Sequence, residues 1–215
     1  MSVITISREF GSGGSDVAKL VASRLGWTLI DNEFVDRVAE RAGCSTEEVQ
    51  QQEERVPTLI ERLARALTVS APEMFAAAAD PQITLPPEDR IVRMTEAVIA
   101  EAVQRGHVVM VGRGAQAYLA ERDGTLHIYL VAPREQRITA IVRRLGVTAE
   151  EAARRLDQVD GGRDRYVRTH YARAWNEAAN YDLVVNTGQF SYEQAAALIV
   201  AAAQARGLDR AASPG

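Results

Sequence analysis

VITISREFGSGGSDVAK, residues 3–19, passes from a short apolar run into a Gly/Ser loop and then into a helical pattern. The run at 3–7 is rich in β-branched residues, as expected of a buried strand. A loop of this kind that opens a helix collects main-chain N–H groups around the positive end of the helix dipole, where anions bind. The stretch therefore predicts a phosphate-binding turn between a strand and a helix.

The loop has no lysine where phosphate loops of the G-x-x-x-x-G-K-[ST] pattern carry one. Arg8 stands at the first glycine position of that pattern, Gly14 stands at the lysine position, and Lys19 is the single lysine of the chain. One interpretation is that Arg8 replaces the missing charge. The other is that Arg8 is a structural residue paired with Glu9 or Asp16.

The composition is that of one large globular domain. The chain has 215 residues, of which 47% are hydrophobic and 25% charged, and its formal net charge of −4 argues against broad nucleic-acid binding. The single cysteine, Cys44, excludes an intramolecular disulfide. The sequence shows no basic-then-apolar leader and no apolar run of about 18 residues. It therefore predicts a cytoplasmic protein that does not bind a membrane.

Strand and helix patterns alternate along the chain. Five strands are predicted, at residues 3–7, 27–30, 107–111, 126–131 and 183–186. Helices are predicted at residues 15–25, 31–42, 45–55, 58–79, 88–105, 133–145, 148–171 and 191–206, the seventh interrupted at Gly161 and Gly162. Because strands joined by helical crossovers pair in parallel, we expect an α/β fold in which helices cover both faces of a parallel sheet. His107 and His127, at strand starts, are interpreted as framework residues.

Polar and glycine residues follow four of the predicted strands. They are Arg8 with the Gly/Ser loop, Asp31, Gly112-Arg113 and Asn186-Thr187. Since ligands of open parallel sheets bind at the carboxyl ends of the strands, these residues are expected to share one site. The glycine loop alone is weak support for phosphate binding, but its coincidence with the other three favours a nucleotide site.

Further motifs, taken in order, resemble a known family. They are DNEFVDR at 31–37, VVMVGRGAQAYL at 108–119, HIYLVAPREQRI at 127–138 and YDLVVNT at 181–187. With the Gly/Ser loop they resemble the cytidylate kinase-like group of P-loop nucleoside monophosphate kinases, over residues 2 to about 205. The resemblance implies a three-layer P-loop NTPase fold with a five-stranded parallel sheet. It places one domain at residues 1–207, with a helical acceptor-binding insertion at about 32–105, an arginine-rich lid at about 143–172 and a flexible tail at 208–215.

The resemblance also implies roles for individual residues. Asp31 and Arg37 have the D-x5-R spacing that helps to hold the nucleoside monophosphate, and Arg113 matches the arginine that binds the acceptor phosphate. The donor phosphates are expected at Gly11, Ser12, Gly13, Gly14, Ser15 and Asp16. Lid arginines are expected at Arg137, Arg143, Arg144 and Arg168, and catalytic arginines at Arg8, Arg113, Arg163 and Arg165. The loop at 186–188 is similar to the segment that lies against the donor base.

ATP and Mg²⁺ are the cofactors that the resemblance implies. Cytidylate kinases often carry an acidic residue near the magnesium directly before the G-R element, where this chain has Val111. Magnesium prefers oxygen ligands and keeps several of its waters. Ser15 and Asp16 are the nearest candidate ligands, and Asp31 is a candidate through a water.

The activity implied is transfer of the ATP γ-phosphoryl group to a nucleoside monophosphate, CMP or dCMP by resemblance. Two alternatives stay open: a nucleotide-binding regulatory module that lost transfer together with the lysine, and a kinase for another small metabolite. The predicted helix at 58–79 carries an apolar stripe of Leu59, Leu63, Leu67 and Phe75. That stripe is interpreted either as core or as the surface of a homodimer.

Overall fold

The computed structural model describes residues 1–31, 87–112 and 114–209 of the chain. Several predictions fall outside these residues: the helices expected between 32 and 79, the apolar stripe, Arg37, Arg113 and the end of the tail at 210–215. Contacts divide the chain into two compact units, Met1–Asp31 with Glu101–Gly215, and Asn32–Ala100. The first unit contains the sheet and every site residue considered below except Arg37.

A five-stranded sheet forms the centre of the first unit. Its strands are β1 (Val3–Arg8), β2 (Thr28–Asp31), β3 (Val108–Val111), β4 (Thr125–Val131) and β5 (Leu183–Asn186). They lie in the order β2-β3-β1-β4-β5, and every pairing is parallel. The predicted α/β fold with a five-stranded parallel sheet is confirmed, and the predicted strands agree with the observed ones to within one residue at most ends.

The described residues contain six α-helices and one short 3₁₀ helix. The α-helices are α1 (Gly14–Leu25), α2 (Pro87–Arg105), α3 (Ala115–Tyr118), α4 (Arg134–Leu145), α5 (Ala149–Tyr171) and α6 (Tyr192–Ala205), and the 3₁₀ helix is Ala178–Asn180. The two shortest, α3 and the 3₁₀ helix, were not predicted. A single turn leaves too few positions for a helical periodicity to be seen.

Helices cover both faces of the sheet. On one face, Ile4 and Ile6 of β1 pack in one apolar cluster with Val17 and Val21 of α1 and with Ile199 of α6. On the other face, the smaller cluster contains Tyr129 of β4, Val167 of α5 and Trp175. Side chains alternate between the two faces along a strand, so β4 supplies Ile128 to the first cluster and Tyr129 to the second.

The helix α5 runs without a break through Gly161 and Gly162, so the predicted interruption there is wrong. Thr148 caps its start by accepting a hydrogen bond from the Glu151 N–H. Leu156 before the glycine pair and Val167 after it are both buried. Packing on either side therefore holds the helix together, because tertiary contacts outweigh the modest helix-breaking tendency of glycine.

Alanine at Gly162 should stabilise the protein by about 0.5–1 kcal/mol, because it lowers the entropy of the unfolded chain without a clash. A Cβ at Gly162 would meet nothing within 4 Å. Gly146 is the matched control: its Cβ would also meet nothing, but its φ is +66°, so Gly146→Ala should destabilise by about 1–2 kcal/mol. Thermal and urea unfolding measure both, and a loss of stability in Gly162→Ala would contradict the account of α5.

A buried histidine connects the two central strands. The Nδ1 atom of His127 lies 2.7 Å from the Thr5 hydroxyl, and the His127 main-chain N–H donates to Asp182 over 2.7 Å. Burial lowers the pKa of His127, Asp182 opposes this shift, and Arg206 and Arg173 add to it. His127 is thus a framework residue that the fold keeps neutral.

His127 should make the free energy of unfolding fall as the pH drops below about 6.5, the ordinary pKa of histidine. Its contribution should be at most about 1.4 kcal/mol per pH unit. The sign follows because the unfolded chain takes up a proton that the folded protein refuses. Denaturant titrations between pH 8 and 5 measure this, with His127→Asn as the comparison. The stability difference between the two proteins should shrink toward acid pH. A constant difference would show that His127 does not titrate differently on unfolding.

Candidate phosphate-binding site

The carboxyl ends of all five strands meet along one edge of the sheet. Arg8 ends β1 and pairs with Leu130, and Asp31 ends β2 and pairs with Val111. After β1 the chain forms β2 and β3, which lie on one side of β1 within the sheet, and then β4 and β5, which lie on the other side. The strand order therefore reverses at β1. Ligands of such sheets bind in the crevice at this reversal, which places the loop after β1 at the expected binding position.

Residues 9–13 form a compact turn between β1 and α1. The Ser12 N–H and hydroxyl both reach the Glu9 carbonyl, at 3.2 and 2.8 Å. Gly13 has a φ of +78°, a conformation that favours glycine, and α1 begins at Gly14. The first N–H groups of a helix have no acceptor within it, so the start of α1 offers donors and a positive dipole end to an anion.

The loop after β5 supports this turn from one side. The Thr187 hydroxyl donates to the Ser12 carbonyl over 2.9 Å. Tyr192, the first residue of α6, packs against Gly13 so closely that a Cβ on Gly13 would lie under 3.0 Å from its ring. Ser191 and Gln194 form a capping box at the start of α6. The predicted contact of residues 186–188 with a donor base stays a prediction.

The Arg8 side chain lies across Gly14. A Cβ added to Gly14 would lie under 3.0 Å from both Cβ and Cγ of Arg8, distances that real side chains do not adopt. The aliphatic part of Arg8 therefore fills the space next to the position where other phosphate loops carry lysine. This packing gives a physical reason for glycine at position 14. It also places the aliphatic part of the Arg8 side chain beside the start of α1.

A cluster of two carboxylates and two guanidiniums lies beside the loop. Arg137 of α4, only 7% exposed, donates to Asp160 over 2.6 Å and lies 3.4 Å from Glu9. Arg163 of α5 donates to Asp160 over 3.2 Å and to the Arg8 carbonyl over 2.8 Å. Burial lowers the pKa of Arg163, and Asp160 opposes that shift.

The sequence analysis named Arg137 and Arg163 but did not single out Asp160. The available signal was the equal spacing of 23 residues in the pairs Arg134–Asp157 and Arg137–Asp160.

Four of the predicted arginines are exposed to solvent. Arg143 and Arg144 lie in the last turn of α4, whereas Arg165 and Arg168 lie on α5. Arg168 pairs with Asp164 at 3.2 Å, with 64% of its side chain exposed. An exposed ion pair of this kind contributes little to stability. The lid role expected of Arg137, Arg143, Arg144 and Arg168 stays a prediction, as does the catalytic role expected of Arg163 and Arg165.

The loop after β3 lies at the same edge. The Gly112 N–H donates to the Ile6 carbonyl of β1 over 3.1 Å, and Tyr171 at the end of α5 packs against Gly114. Asp31 is half-buried at the end of β2, two strand spacings, or about 10 Å, from β1. Arg37 and Arg113 lie outside the described residues, so their predicted acceptor roles stay predictions.

Oxygen donors suited to magnesium stand at the start of α1. Ser15 is half-buried, and Asp16 is exposed in the first turn. In the described part of the chain, no three His, Cys, Asp or Glu residues cluster as metal ligands. A magnesium that is held by a hydroxyl, waters and phosphates does not need such a cluster, so the donor set at Ser15 and Asp16 fits the predicted ion.

The parallel sheet, the strand-to-helix turn and the helix N–H groups together define an α/β protein with a candidate phosphate-binding loop. The described helices include none that is long and apolar enough to cross a membrane. Among solved structures, an uncharacterised protein from Eubacterium ventriosum has the same fold, with a TM-score of 0.68 at 19% identity over 95% of this chain and 99% of that one. A shikimate kinase from Acinetobacter baumannii matches with a TM-score of 0.50 at 17% identity over 95% and 94%.

Sequence comparison identifies the family. The model of the cytidylate kinase-like family matches residues 3–189, and a cytidylate kinase from Ignicoccus hospitalis is 32% identical over 87% of this chain and 90% of that protein. The chain therefore belongs to the cytidylate kinase-like family of nucleotide kinases. It is also 34% identical to a uronate isomerase from Corynebacterium glutamicum over 52% of this chain, and spans only 21% of that protein.

Gly14→Ala should destabilise the protein by about 1–3 kcal/mol, as overpacking does, because the new Cβ meets the Arg8 stem. The cost should be smaller in an Arg8→Ala background, where Cγ and Cδ are absent. Urea unfolding of the four proteins of this double-mutant cycle measures the coupling. Gly161→Ala, whose Cβ would meet nothing within 4 Å, is the control and should add independently of Arg8. Equal costs of Gly14→Ala in both backgrounds would contradict the packing of Arg8 on Gly14.

Proposed function

We propose that this protein is a nucleotide kinase that transfers the ATP γ-phosphoryl group to a nucleoside monophosphate, CMP or dCMP. The observation that carries the proposal is the start of α1, where helix N–H groups open beside Arg8 at the point where the strand order reverses. Membership of the cytidylate kinase-like family supports the reaction class. Identities of about 30% to cytidylate kinases support cytosine as the first base to test.

Phosphoryl transfer needs alignment and positive charge more than a protein nucleophile. An oxygen of the acceptor phosphate forms a bond to the γ-phosphorus as the bond to the β–γ bridging oxygen breaks, and ADP and a nucleoside diphosphate leave. The loop donors hold the donor phosphates. Arg8 supplies charge beside them, in place of the ammonium of other phosphate loops, because a guanidinium stays charged and binds phosphate oxygens in pairs.

The remaining proposed roles follow from the family resemblance and from exposure. Asp31, Arg37 and Arg113 place the acceptor. The charge on the transferring group is neutralised by exposed arginines of α4 and α5, namely Arg143, Arg144, Arg165 and Arg168. Ser15 and Asp16 are the proposed protein ligands that would hold magnesium, which would offset the charge of the donor phosphates.

A coupled assay of ADP formation with CMP, dCMP, UMP, AMP, GMP and shikimate tests the proposal. We expect turnover with CMP or dCMP and little with the others. ATP binding in calorimetry without turnover on any acceptor would replace the proposal with a nucleotide-binding module. Turnover only with a non-nucleotide acceptor would replace it with a metabolite kinase.

Arg8→Ala should raise the KM for ATP by about 10- to 100-fold, the size expected for loss of a charge-assisted hydrogen bond, and should leave the KM for the acceptor nearly unchanged. Arg113→Ala should do the reverse. Steady-state kinetics with each substrate varied in turn separates the two effects. Lys19→Ala is the control, because it also removes one positive charge but lies exposed on α1. Wild-type constants in Arg8→Ala would remove Arg8 from the donor site.

A further inference from the structure

Two ion pairs join α4 and α5 side by side. Arg134 pairs with Asp157 at 2.5 Å, and Arg137 pairs with Asp160 at 2.6 Å. In the second pair the arginine and the aspartate each lie three residues further along the chain than in the first. The two pairs are therefore successive contacts between the same helices. They differ in their surroundings: the Asp157 side chain is 62% exposed, whereas that of Asp160 is 17% exposed.

Only the inner of these two pairs reaches the phosphate loop. The Asp160 carboxylate accepts a hydrogen bond from the Phe10 N–H over 2.8 Å. Its two guanidinium partners reach the loop main chain as well, since Arg163 donates to the Arg8 carbonyl at 2.8 Å and Arg137 to the Phe10 carbonyl at 3.5 Å. One carboxylate therefore organises the hydrogen bonds of the main chain directly before the glycines.

The charges in this cluster balance. Two carboxylates, Glu9 and Asp160, lie beside two guanidiniums, those of Arg137 and Arg163. Glu9 also accepts a hydrogen bond from the Ala132 N–H over 2.9 Å. Loss of Asp160 would remove the carboxylate that pairs with Arg163 and the nearer of the two that pair with Arg137, which is more costly than loss of an exposed pair. The Phe10 side chain adds to the attachment, because it packs against the buried cluster of Ile141, Ala152 and Leu156 on α4 and α5.

We propose that Asp160 is a positioning residue of the phosphate loop: with Arg137 and Arg163 it holds the main chain of residues 8–10 so that the donors at the start of α1 stay aimed at the phosphates. Asp160 does not itself contact substrate. The effect on nucleotide affinity rests on the proposed function, whereas the effect on the loop does not. Asp157 supplies the comparison, since it makes the same kind of pair without contacting the loop.

Hydrogen exchange of the full chain without nucleotide tests the effect on the loop. In Asp160→Ala, amides of residues 10–14 should exchange about tenfold faster or more, because the opening free energy of this segment falls. In Asp157→Ala they should exchange as in the wild type. Asp160→Asn should lie between, since its amide oxygen still accepts from Phe10. Equal protection of the loop in the Asp160 and Asp157 variants would overturn the proposal.

Calorimetry with ATP and with inorganic tripolyphosphate tests the consequence for binding. Asp160→Ala should weaken both by about tenfold, the loss of one hydrogen-bond equivalent, and CMP binding should not change. A general loss of folding would instead weaken all three ligands and lower thermal stability, and Asp160→Asn then serves as the milder variant. If the wild type binds neither ATP nor tripolyphosphate, the proposed function fails, while the exchange experiment still decides the role of Asp160. Unchanged affinities in a folded Asp160 variant would overturn the positioning role.

Discussion

A helix that starts at Gly14 leaves its first N–H groups without internal acceptors, so the position of these donors depends on where the preceding loop holds the start of the helix. Several contacts around the loop fix that position. Tyr192 packs against Gly13, Thr187 donates to Ser12, and Arg8 lies across Gly14. Thr187 and Tyr192 follow β5, whereas Arg8 ends β1, so the sheet positions them together. The loop is thus shaped by surrounding elements more than by its own hydrogen bonds.

Arginine carries the positive charge of this site, and the fold divides the arginines into two groups. Arg137 and Arg163 are held by carboxylates and main-chain oxygens beside the loop. Others, such as Arg143 and Arg165, are exposed on α4 and α5. A guanidinium suits both environments because it stays charged when half-buried and offers several donors in one plane. The first group contacts the main chain of the loop, and the second lies on exposed helix surfaces.

Much of the fold could be predicted from local patterns. The β-branched runs at β1 and β3 and the glycine loop are strong signals, because strand periodicity and turn chemistry act over a few neighbouring residues. Gly161 and Gly162 show the limit of such reasoning. Their local preference indicates a break, but buried Leu156 and Val167 on either side keep α5 continuous. Asp160 is a second example of this limit. Its neighbours in the sequence are typical of a charged helix surface and do not reveal its contact with the loop.

The sequence by itself determined the strand–loop–helix order, the parallel sheet and the absence of a lysine at position 14, since each depends on residue type and spacing alone. Only the tertiary structure decided which arginines are buried and which are exposed, why Gly14 must lack a side chain, and that Asp160 reaches Phe10 across 150 positions. Contacts between residues so far apart depend on how helices and strands pack. Two residues with the same local pattern, such as Asp157 and Asp160, can therefore have different surroundings.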